Sequence, residues 1–169
     1  MNNAAKTKAA VTTIGALVFT LSAAFMSSAF ADTKPSSLEK VGDFALLDHQ
    51  GAFLHLSRYR HKKALVIYSE ANNCQSIEKD LSKLQKLRKK WQDKDVDFFM
   101  MNSVANEDRD SLIKTAQTKS LDFPILDDSS QLIAEKLNIT KAGQVVIVDP
   151  NKMTINYRGP IDSAINSTL

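Results

Sequence analysis

The sequence is poor in cysteine, since Cys74 is the only one among its 169 residues. A single thiol excludes a disulfide within one chain, and with it any exchange reaction that alternates between two cysteines of the same molecule. The sequence also lacks internal repeats, and it has no low-complexity tract beyond its apolar N-terminal segment. With 43% hydrophobic and 24% charged residues, its composition is nevertheless ordinary for a globular domain with a hydrophobic core.

A large excess of charge of either sign is also missing. The 22 basic and 19 acidic residues give a formal net charge of +3, of which Lys6 and Lys8 supply two units. Basic residues crowd around Trp91, an arrangement typical of the solvated face of a helix. Because no basic patch is interleaved with aromatic residues, we expect no nucleic-acid partner.

The N-terminal segment, residues 1–31, has the three parts of a secretory signal peptide. Two lysines precede an uncharged apolar run over 9–25, and the small residues Ala29 and Ala31 form a cleavage site. The alternative is an uncleaved membrane anchor, but the run is short and its Ala and Thr content makes it weakly hydrophobic. We therefore expect a bacterial protein that is periplasmic or secreted, with no membrane attachment after cleavage.

The rest of the sequence alternates between apolar runs and amphipathic segments. After a polar linker over 32–40, two apolar runs around a turn with Gly51 predict a β-hairpin. Continuous apolar runs predict buried strands, and apolar residues at three- and four-residue spacing predict helices. The predicted order is a hairpin over 44–56, a strand over 64–69, a helix over 76–91, a strand over 96–101, a helix over 111–119, an extended piece over 123–126, a helix over 129–137 capped by Ser129 or Ser130, a buried strand over 145–148 and an edge strand over 154–158. This order predicts one α/β domain over 41–169, with a mixed central sheet flanked by helices.

Cys74 lies between a predicted strand and a predicted helix. Free backbone N–H groups at the start of a helix favour a thiolate, which lowers the pKa of the thiol and makes the sulfur nucleophilic. The neighbouring residues are polar and indicate a solvated loop: Asn72, Asn73, Gln75 and Ser76. The alternative is a buried, inert cysteine. Glu70 weighs against reactivity, because a nearby carboxylate would raise the pKa of the thiol.

Six segments carry a resemblance to a known family. They are Asp43-Phe-Ala-Leu-Leu-Asp48, Asn73-Cys-Gln-Ser-Ile77, Phe98-Phe-Met-Met-Asn102, Phe123-Pro-Ile-Leu-Asp-Asp128, Val146-Ile-Val-Asp149 and Tyr157-Arg-Gly-Pro-Ile-Asp162. Over 41–162 the chain resembles the redoxin branch of the thioredoxin superfamily, which groups with the alkyl hydroperoxide reductase/thiol-specific antioxidant (peroxiredoxin-like) proteins and with exported thiol–disulfide oxidoreductases. The resemblance implies a thioredoxin-like fold and Cys74 as the thiol nucleophile toward a peroxide or a disulfide. It implies no cofactor, and an external thiol reductant or partner protein that resolves the oxidised cysteine.

The sequence departs from the family pattern around that cysteine. Ile77 stands where thioredoxin-like reductants have a second cysteine, while Ile67 and Ala71 stand where peroxiredoxins have proline and threonine. The cis-proline that faces the cysteine in thioredoxin folds aligns with Gly143. A catalytically degenerate thioredoxin-fold domain, used for binding or as a scaffold, is therefore the alternative function.

Two further sets of side chains are candidates for the site. The resemblance places Arg158 on a strand near the sheet edge, where an arginine could stabilise the thiolate, and an ordinary pair with an acid is the alternative. His49, His55 and His61 are evenly spaced, but a turn and a strand need not bring them together. Because no cysteine or carboxylate pattern completes a ligand set, we expect no metal site.

The end of the sequence leaves room for only a truncated C-terminal helix after Asp162. A thioredoxin fold covers one sheet face with its last helix, so we expect apolar surface near Val145 and Ile147 to be bare. Bare apolar surface of this kind predicts a homodimer or a bound partner protein. A disulfide between the Cys74 residues of two chains is a second, separable route to a dimer.

The cleavage site predicts the N-terminus of the mature protein. Removal of residues 1–31 leaves Asp32 as the first residue, because cleavage follows the second small residue of the site. Mass spectrometry of the protein purified from its native host measures this directly. An intact N-terminus recovered in the membrane fraction would instead show an anchor.

Overall fold

A mixed β-sheet with helices on its two faces organises the described part of the chain. The structure is a computed structural model, and it describes residues 39–70, 77–162 and 164–169. The strands are β1 (Glu39–Lys40), β2 (Ala45–Asp48), β3 (Phe53–His55), β4 (Ala64–Glu70), β5 (Val96–Asn102), β6 (Ile125–Asp127), β7 (Gln144–Asp149) and β8 (Thr154–Pro160). The helices are α1 (Ile77–Trp91), α2 (Arg109–Thr118), α3 (Leu132–Lys136) and α4 (Ala164–Thr168), with short 3₁₀ turns at Leu56–Tyr59 and Gln92–Lys94. The described residues belong to one unit, 32–169, and their fold is thioredoxin-like.

The strand order places β4 in the interior of the sheet. The order is β1-β8-β7-β4-β5-β6-β2-β3. Parallel pairing joins β4 to β5 and β5 to β6, whereas β7 pairs antiparallel with β4. In the register of β4 and β5, Ala64 lies opposite Val96 and Glu70 lies opposite Asn102. The carboxyl ends of two parallel strands therefore meet at Glu70 and Asn102.

Both faces of the sheet are covered, which explains why β4 is a continuous apolar run in the sequence. Every residue of β4 is buried. Val66 and Tyr68 face one core, which also contains buried residues of α1 and α2, whereas Leu65 and Ile67 face the other core, beside the hairpin and α3. The period of two along a strand sends alternate side chains to the two cores.

Most of the predicted elements are confirmed. The hairpin is formed by β2 and β3, with Leu46 opposite Leu54. The predicted helix after the cysteine is α1, and its periodic residues Leu81, Leu84 and Leu87 are buried. The helix predicted from residue 111 begins two residues earlier, at Arg109, because the Asp108 side chain caps it by accepting from the N–H of Ser111.

The predicted cap of α3 is wrong. Neither Ser129 nor Ser130 caps this helix, because Asp128 takes that role: Oδ1 accepts from the N–H of Ile133 and Oδ2 from the N–H of Ala134. Asp128 is 1% exposed, and its Oδ2 also accepts from the Ser103 hydroxyl at 2.9 Å. One carboxylate therefore satisfies two helix N–H groups and ties α3 to the end of β5.

The boundaries differ from the predicted ones at β1. Glu39 and Lys40, which the sequence analysis places in the linker, form β1 and pair with β8 opposite Ile155 and Thr154. Consequently, β8 is not the edge strand along those two residues. A two-residue strand carries no periodicity, so the sequence gives no pattern from which to predict it.

The expected bare face near the C-terminus is also wrong. Val145 and Ile147 are fully buried, and Ile165 on α4 joins the same core with 0% exposure. The large hydrophobic side chains that are exposed among the described residues are instead Phe53 and Leu132. None of the helices in the described part of the chain has the length and apolar character that a membrane span needs. The predicted signal peptide lies outside the described residues.

The cap of α3 generates a prediction of stability. We expect Asp128→Ala to lower the free energy of unfolding by about 1–3 kcal/mol, because it leaves buried backbone N–H groups without an acceptor. Urea unfolding followed by circular dichroism measures the change. Ser130→Ala is the matched control, since Ser130 is exposed and caps nothing, and we expect it to change stability by less than about 0.5 kcal/mol. Equal effects of the two substitutions would contradict this assignment of the cap.

Candidate active site

The candidate site lies where β4 ends and α1 begins. The last residue of β4 is Glu70 and the first of α1 is Ile77. Cys74, the predicted nucleophile, belongs to the six-residue connection 71–76 and lies outside the described residues. The connection starts beside the carboxyl end of β5, at the edge of the sheet where ligands of open α/β folds bind. The described residues around this edge therefore define the surroundings of the candidate site.

Glu70 is a buried carboxylate at this edge. The residue is 2% exposed, and Oε1 pairs with the ammonium group of Lys119, which follows α2 directly. Burying a carboxylate is costly unless a counter-charge and hydrogen bonds replace water. Lys119 supplies that counter-charge, so the pair adds no net charge at the end of β4. The second oxygen, Oε2, has no hydrogen-bond partner among the described residues.

A cavity of about 500 Å³ lies on the α3 side of the same edge. Its lining includes Ser69, Glu70, Ser103, Gln131, Glu135 and Asn138. Gln131 fixes one wall by donating from Nε2 to the Ser103 carbonyl at 2.8 Å. These side chains carry hydrogen-bonding groups, whereas Val104 and Ile139 add apolar surface, so the cavity combines polar and apolar walls.

Gly143, which aligns with the family's cis-proline, is tied to the end of β4. Its N–H donates to the Ser69 carbonyl at 2.8 Å, a bond that proline could not make because it has no N–H. The φ angle of Gly143 is +81°, in the region that favours glycine. A side chain would have space there, since a Cβ would lie 3.8 Å from Asp80 Oδ2. The backbone conformation, and not crowding, therefore demands glycine.

Arg158 is engaged with groups other than the thiol. Its Nε donates to the Leu137 carbonyl and its Nη2 to Glu39 Oε2, both at 2.8 Å. The structure therefore shows the ion pair that the sequence analysis gives as the alternative. Stabilisation of the thiolate by Arg158 stays a prediction, because Cys74 lies outside the described residues.

The three histidines have separate surroundings. His49 is buried, and its Nδ1 accepts from the N–H of Ile125 at 3.1 Å. His55 lies beside Phe53 with 6.1 Å between ring centroids, and His61 is stacked near Tyr59 at 6.4 Å. The described residues contain no group of three or more potential metal ligands from His, Cys, Asp and Glu.

Sequence reasoning missed the role of Lys119 as the partner of Glu70. The two residues are 49 positions apart, and nothing in the sequence around Lys119 distinguishes it from the exposed lysines. An acidic residue at the end of a continuous apolar strand is itself a signal, because a carboxylate buried there needs a partner. That signal indicates the need for a cation without identifying which one.

Solved structures similar to this chain have thioredoxin-like folds. A putative protein disulfide isomerase from Bacteroides thetaiotaomicron is 18% identical, with a TM-score of 0.65 over 76% of this chain and 82% of that one. The exposed lipoprotein thioredoxin Etrx1 from Streptococcus pneumoniae is 21% identical, with a TM-score of 0.60 over 75% and 97%. A putative thiol:disulfide interchange protein DsbE from Chlorobium tepidum is 13% identical, with a TM-score of 0.64 over 78% and 93%. At these identities the likeness shows the fold alone.

A family model matches most of the chain. No curated protein matches this chain. The model of the AhpC/TSA family matches residues 38–161, a range that contains all eight described strands and the helices α1, α2 and α3. The match also spans the connection that contains Cys74, in agreement with the resemblance found in the sequence. The chain belongs to the AhpC/TSA family of redoxins.

Proposed function

We propose that the protein is an exported single-cysteine redoxin, a thiol-dependent oxidoreductase in which Cys74 reduces a peroxide or a disulfide. One observation carries the proposal: the only thiol of this AhpC/TSA family member lies in the connection from β4 to α1. A cysteine just before a helix meets unpaired N–H groups that favour its thiolate. Reactivity at this position needs no second cysteine in the chain, provided that an external thiol completes the reaction.

Toward a peroxide, the Cys74 thiolate attacks one oxygen of the O–O bond. An S–O bond forms and the O–O bond breaks, so that sulfur is oxidised to a sulfenic acid and the peroxide is reduced to an alcohol or water. The proton released by the thiol goes to the leaving oxygen. An external thiol then displaces water from the sulfenic acid to give a mixed disulfide, and a second external thiol releases Cys74 and leaves as part of a disulfide.

Toward a disulfide, the same thiolate attacks one of the two sulfurs. A mixed disulfide forms with Cys74, and the other sulfur leaves as a thiolate that takes up the proton. An external thiol then attacks the Cys74 sulfur, releases the second half of the substrate as a thiol and forms a new mixed disulfide with Cys74. A second external thiol restores Cys74 and leaves as part of a disulfide. Both routes consume two external thiols or one dithiol, which is the partner that the proposal requires.

The Glu70–Lys119 pair removes an objection to this reactivity. A lone carboxylate four residues before Cys74 would raise the pKa of the thiol. Lys119 balances the Glu70 charge, so the influence of the helix start is not opposed by a net negative charge at the end of β4. The pair supports the proposal without substituting for the missing threonine of peroxiredoxins.

A degenerate domain that only binds a partner is the second candidate function. It is favoured by Ile77, the first residue of α1, which stands where a second cysteine would be. It is also favoured by the Gly143 N–H, which is occupied by the Ser69 carbonyl where relatives have a cis-proline. Under this function the fold is retained for contact with another protein, and Cys74→Ser leaves that contact unchanged.

Export and dimer formation remain parts of the proposal. Export rests on the signal peptide predicted over residues 1–31, and it would place Cys74 in an oxidising compartment where a free thiol meets oxidants. Two chains could then join through a Cys74–Cys74 disulfide. Such a dimer would dissociate in reductant, whereas a dimer held by apolar contacts would not.

The proposed chemistry predicts a reactive, low-pKa thiol. We expect the rate of Cys74 alkylation by iodoacetamide to rise with a midpoint below the reference pKa of about 8.5, and peroxide or disulfide turnover with an external thiol to be lost in Cys74→Ser. A dimedone adduct after peroxide treatment would identify the sulfenic acid. An alkylation midpoint at or above the reference value, with equal turnover in wild type and Cys74→Ser, would favour the binding domain.

The balance of charge between Glu70 and Lys119 generates a second prediction. Removing one member of the pair leaves an unpaired charge at the end of β4, and a negative charge raises the pKa of a nearby thiol whereas a positive charge lowers it. We therefore expect Lys119→Met to raise the alkylation midpoint of Cys74, and Glu70→Gln to lower it. Lys62→Met is the matched control, because it breaks the distinct Lys62–Asp97 pair. Shifts of the same sign in both variants would show that the pair acts on the fold and not on the thiol.

A further inference from the structure

A second cavity, of about 490 Å³, lies between the β2–β3 turn and α2. It is lined by His49, Gln50, Arg109, Ile113, Ala116 and other residues of α2 and the turn that follows it. None of these residues takes part in the chemistry proposed for Cys74. Its volume lies in the range of small-molecule sites, and its lining combines apolar side chains with hydrogen-bond donors.

His49 offers a hydrogen-bond donor at this cavity. The residue is 8% exposed, and its Nδ1 accepts from the N–H of Ile125. A neutral imidazole that accepts at Nδ1 carries its proton on Nε2. Nε2 has no hydrogen-bond partner among the described residues, so the N–H is left for a molecule in the cavity.

Arg109 is held against the same turn. Its Nε donates to the His49 carbonyl at 3.1 Å. Gly51 makes this approach possible, because a Cβ at its φ of +88° would lie 2.9 Å from Arg109 Nη2. Arg109 takes part in none of the ion pairs among the described residues, although it carries a full positive charge. The turn therefore positions the guanidinium group, and its Nη groups keep N–H donors for a ligand.

Two neighbouring acids, Asp48 and Asp108, accept hydrogen bonds from backbone groups. Asp48 Oδ1 accepts from the N–H groups of Gln50 and Ala52, both at 2.8 Å. Asp108 Oδ1 accepts from the N–H of Ser111 at the start of α2. These carboxylates shape the turn and cap the helix. Neither carboxylate forms an ion pair with Arg109, so the guanidinium group and the N–H of His49 remain for an anion that enters the cavity.

We propose that this cavity binds the carboxylate of a small organic acid that carries a short hydrocarbon chain. Arg109 holds the carboxylate oxygens through its Nη groups, whose planar fork matches a carboxylate, and His49 donates a further hydrogen bond from Nε2. Ile113, Ala116 and Leu121 supply apolar wall for the hydrocarbon. Inorganic phosphate carries at least as much negative charge but lacks the apolar part, so we expect it to bind more weakly. The site acts independently of Cys74.

Titration with butyrate tests the site. We expect butyrate to bind wild type at millimolar concentrations, with shifted imidazole resonances of His49 and with the proton on Nε2, as seen in two-dimensional ¹H–¹⁵N spectra. Arg109→Gln should weaken binding by about tenfold or more, since it removes the charge and the fork. Lys114→Gln is the matched control: it removes one positive charge from an exposed position of α2 that does not line the cavity, and binding should stay within about twofold.

Three comparisons could overturn the proposal. Butyramide has the shape of butyrate without its charge, and equally strong binding of butyramide would exclude an anion site. Phosphate binding as tight as butyrate would exclude the preference for an organic carboxylate. Equal losses of butyrate affinity in Arg109→Gln and Lys114→Gln would show that binding depends on the overall surface charge and not on a specific site. Cys74→Ser should bind butyrate like wild type, so the site and the proposed redox function can fail separately.

Discussion

The parallel pairing of β4 with β5 is the interaction on which the rest of the structure depends. Seven consecutive residues of β4 lie in register with seven of β5, and every side chain of β4 is buried. A strand buried on both faces cannot shift by one residue without exchanging its two sets of side chains between the cores. The register is therefore fixed, and it determines that Glu70 and Asn102 end side by side.

The buried carboxylate of Glu70 at the end of β4 needs a counter-charge, and the residue that supplies it follows α2. Glu70 could not be buried there as an anion without a cation, and Lys119 meets that need from the end of α2. Asp128 plays a comparable part on the other face, where one carboxylate serves two backbone groups of α3 and the Ser103 hydroxyl. Two acids thus join the carboxyl edge of the sheet to helices on opposite faces.

The sequence predicts the elements that have a clear period and misses those that depend on tertiary contacts. Continuous apolar runs and the Leu81, Leu84 and Leu87 spacing predict the central strands and α1, because burial on two faces or on one stripe leaves those patterns. The two-residue strand β1 has no such pattern. Residue type favours a serine as the cap of α3, whereas the fold brings the Asp128 carboxylate to the unpaired N–H groups.

The candidate site is predictable only in part for the same reason. Cys74 stands out because it is unique and lies between a strand and a helix. Arg158 lies on the predicted strand, but its partner Glu39 is 119 residues away and no local pattern connects them. In the sequence, His49 stands out only through its even spacing from the other two histidines. Its position beside Arg109 comes from the β2–β3 turn packing near α2, which spacing along the chain does not reveal.

The pairing of β1 with β8 bears on the order in which the chain can fold. Glu39 lies opposite Ile155, and its side chain also meets Arg158, so one of the first described residues is held by residues near the end of the chain. Contacts this distant in sequence close late, because they form only after the intervening chain has been made and brought together. During synthesis the N-terminal part of the chain emerges first, so β1 has no partner until β8 has been synthesised. Attachment of β1 is a closing step of folding, and it leaves the N-terminal end of the domain free of the sheet until then.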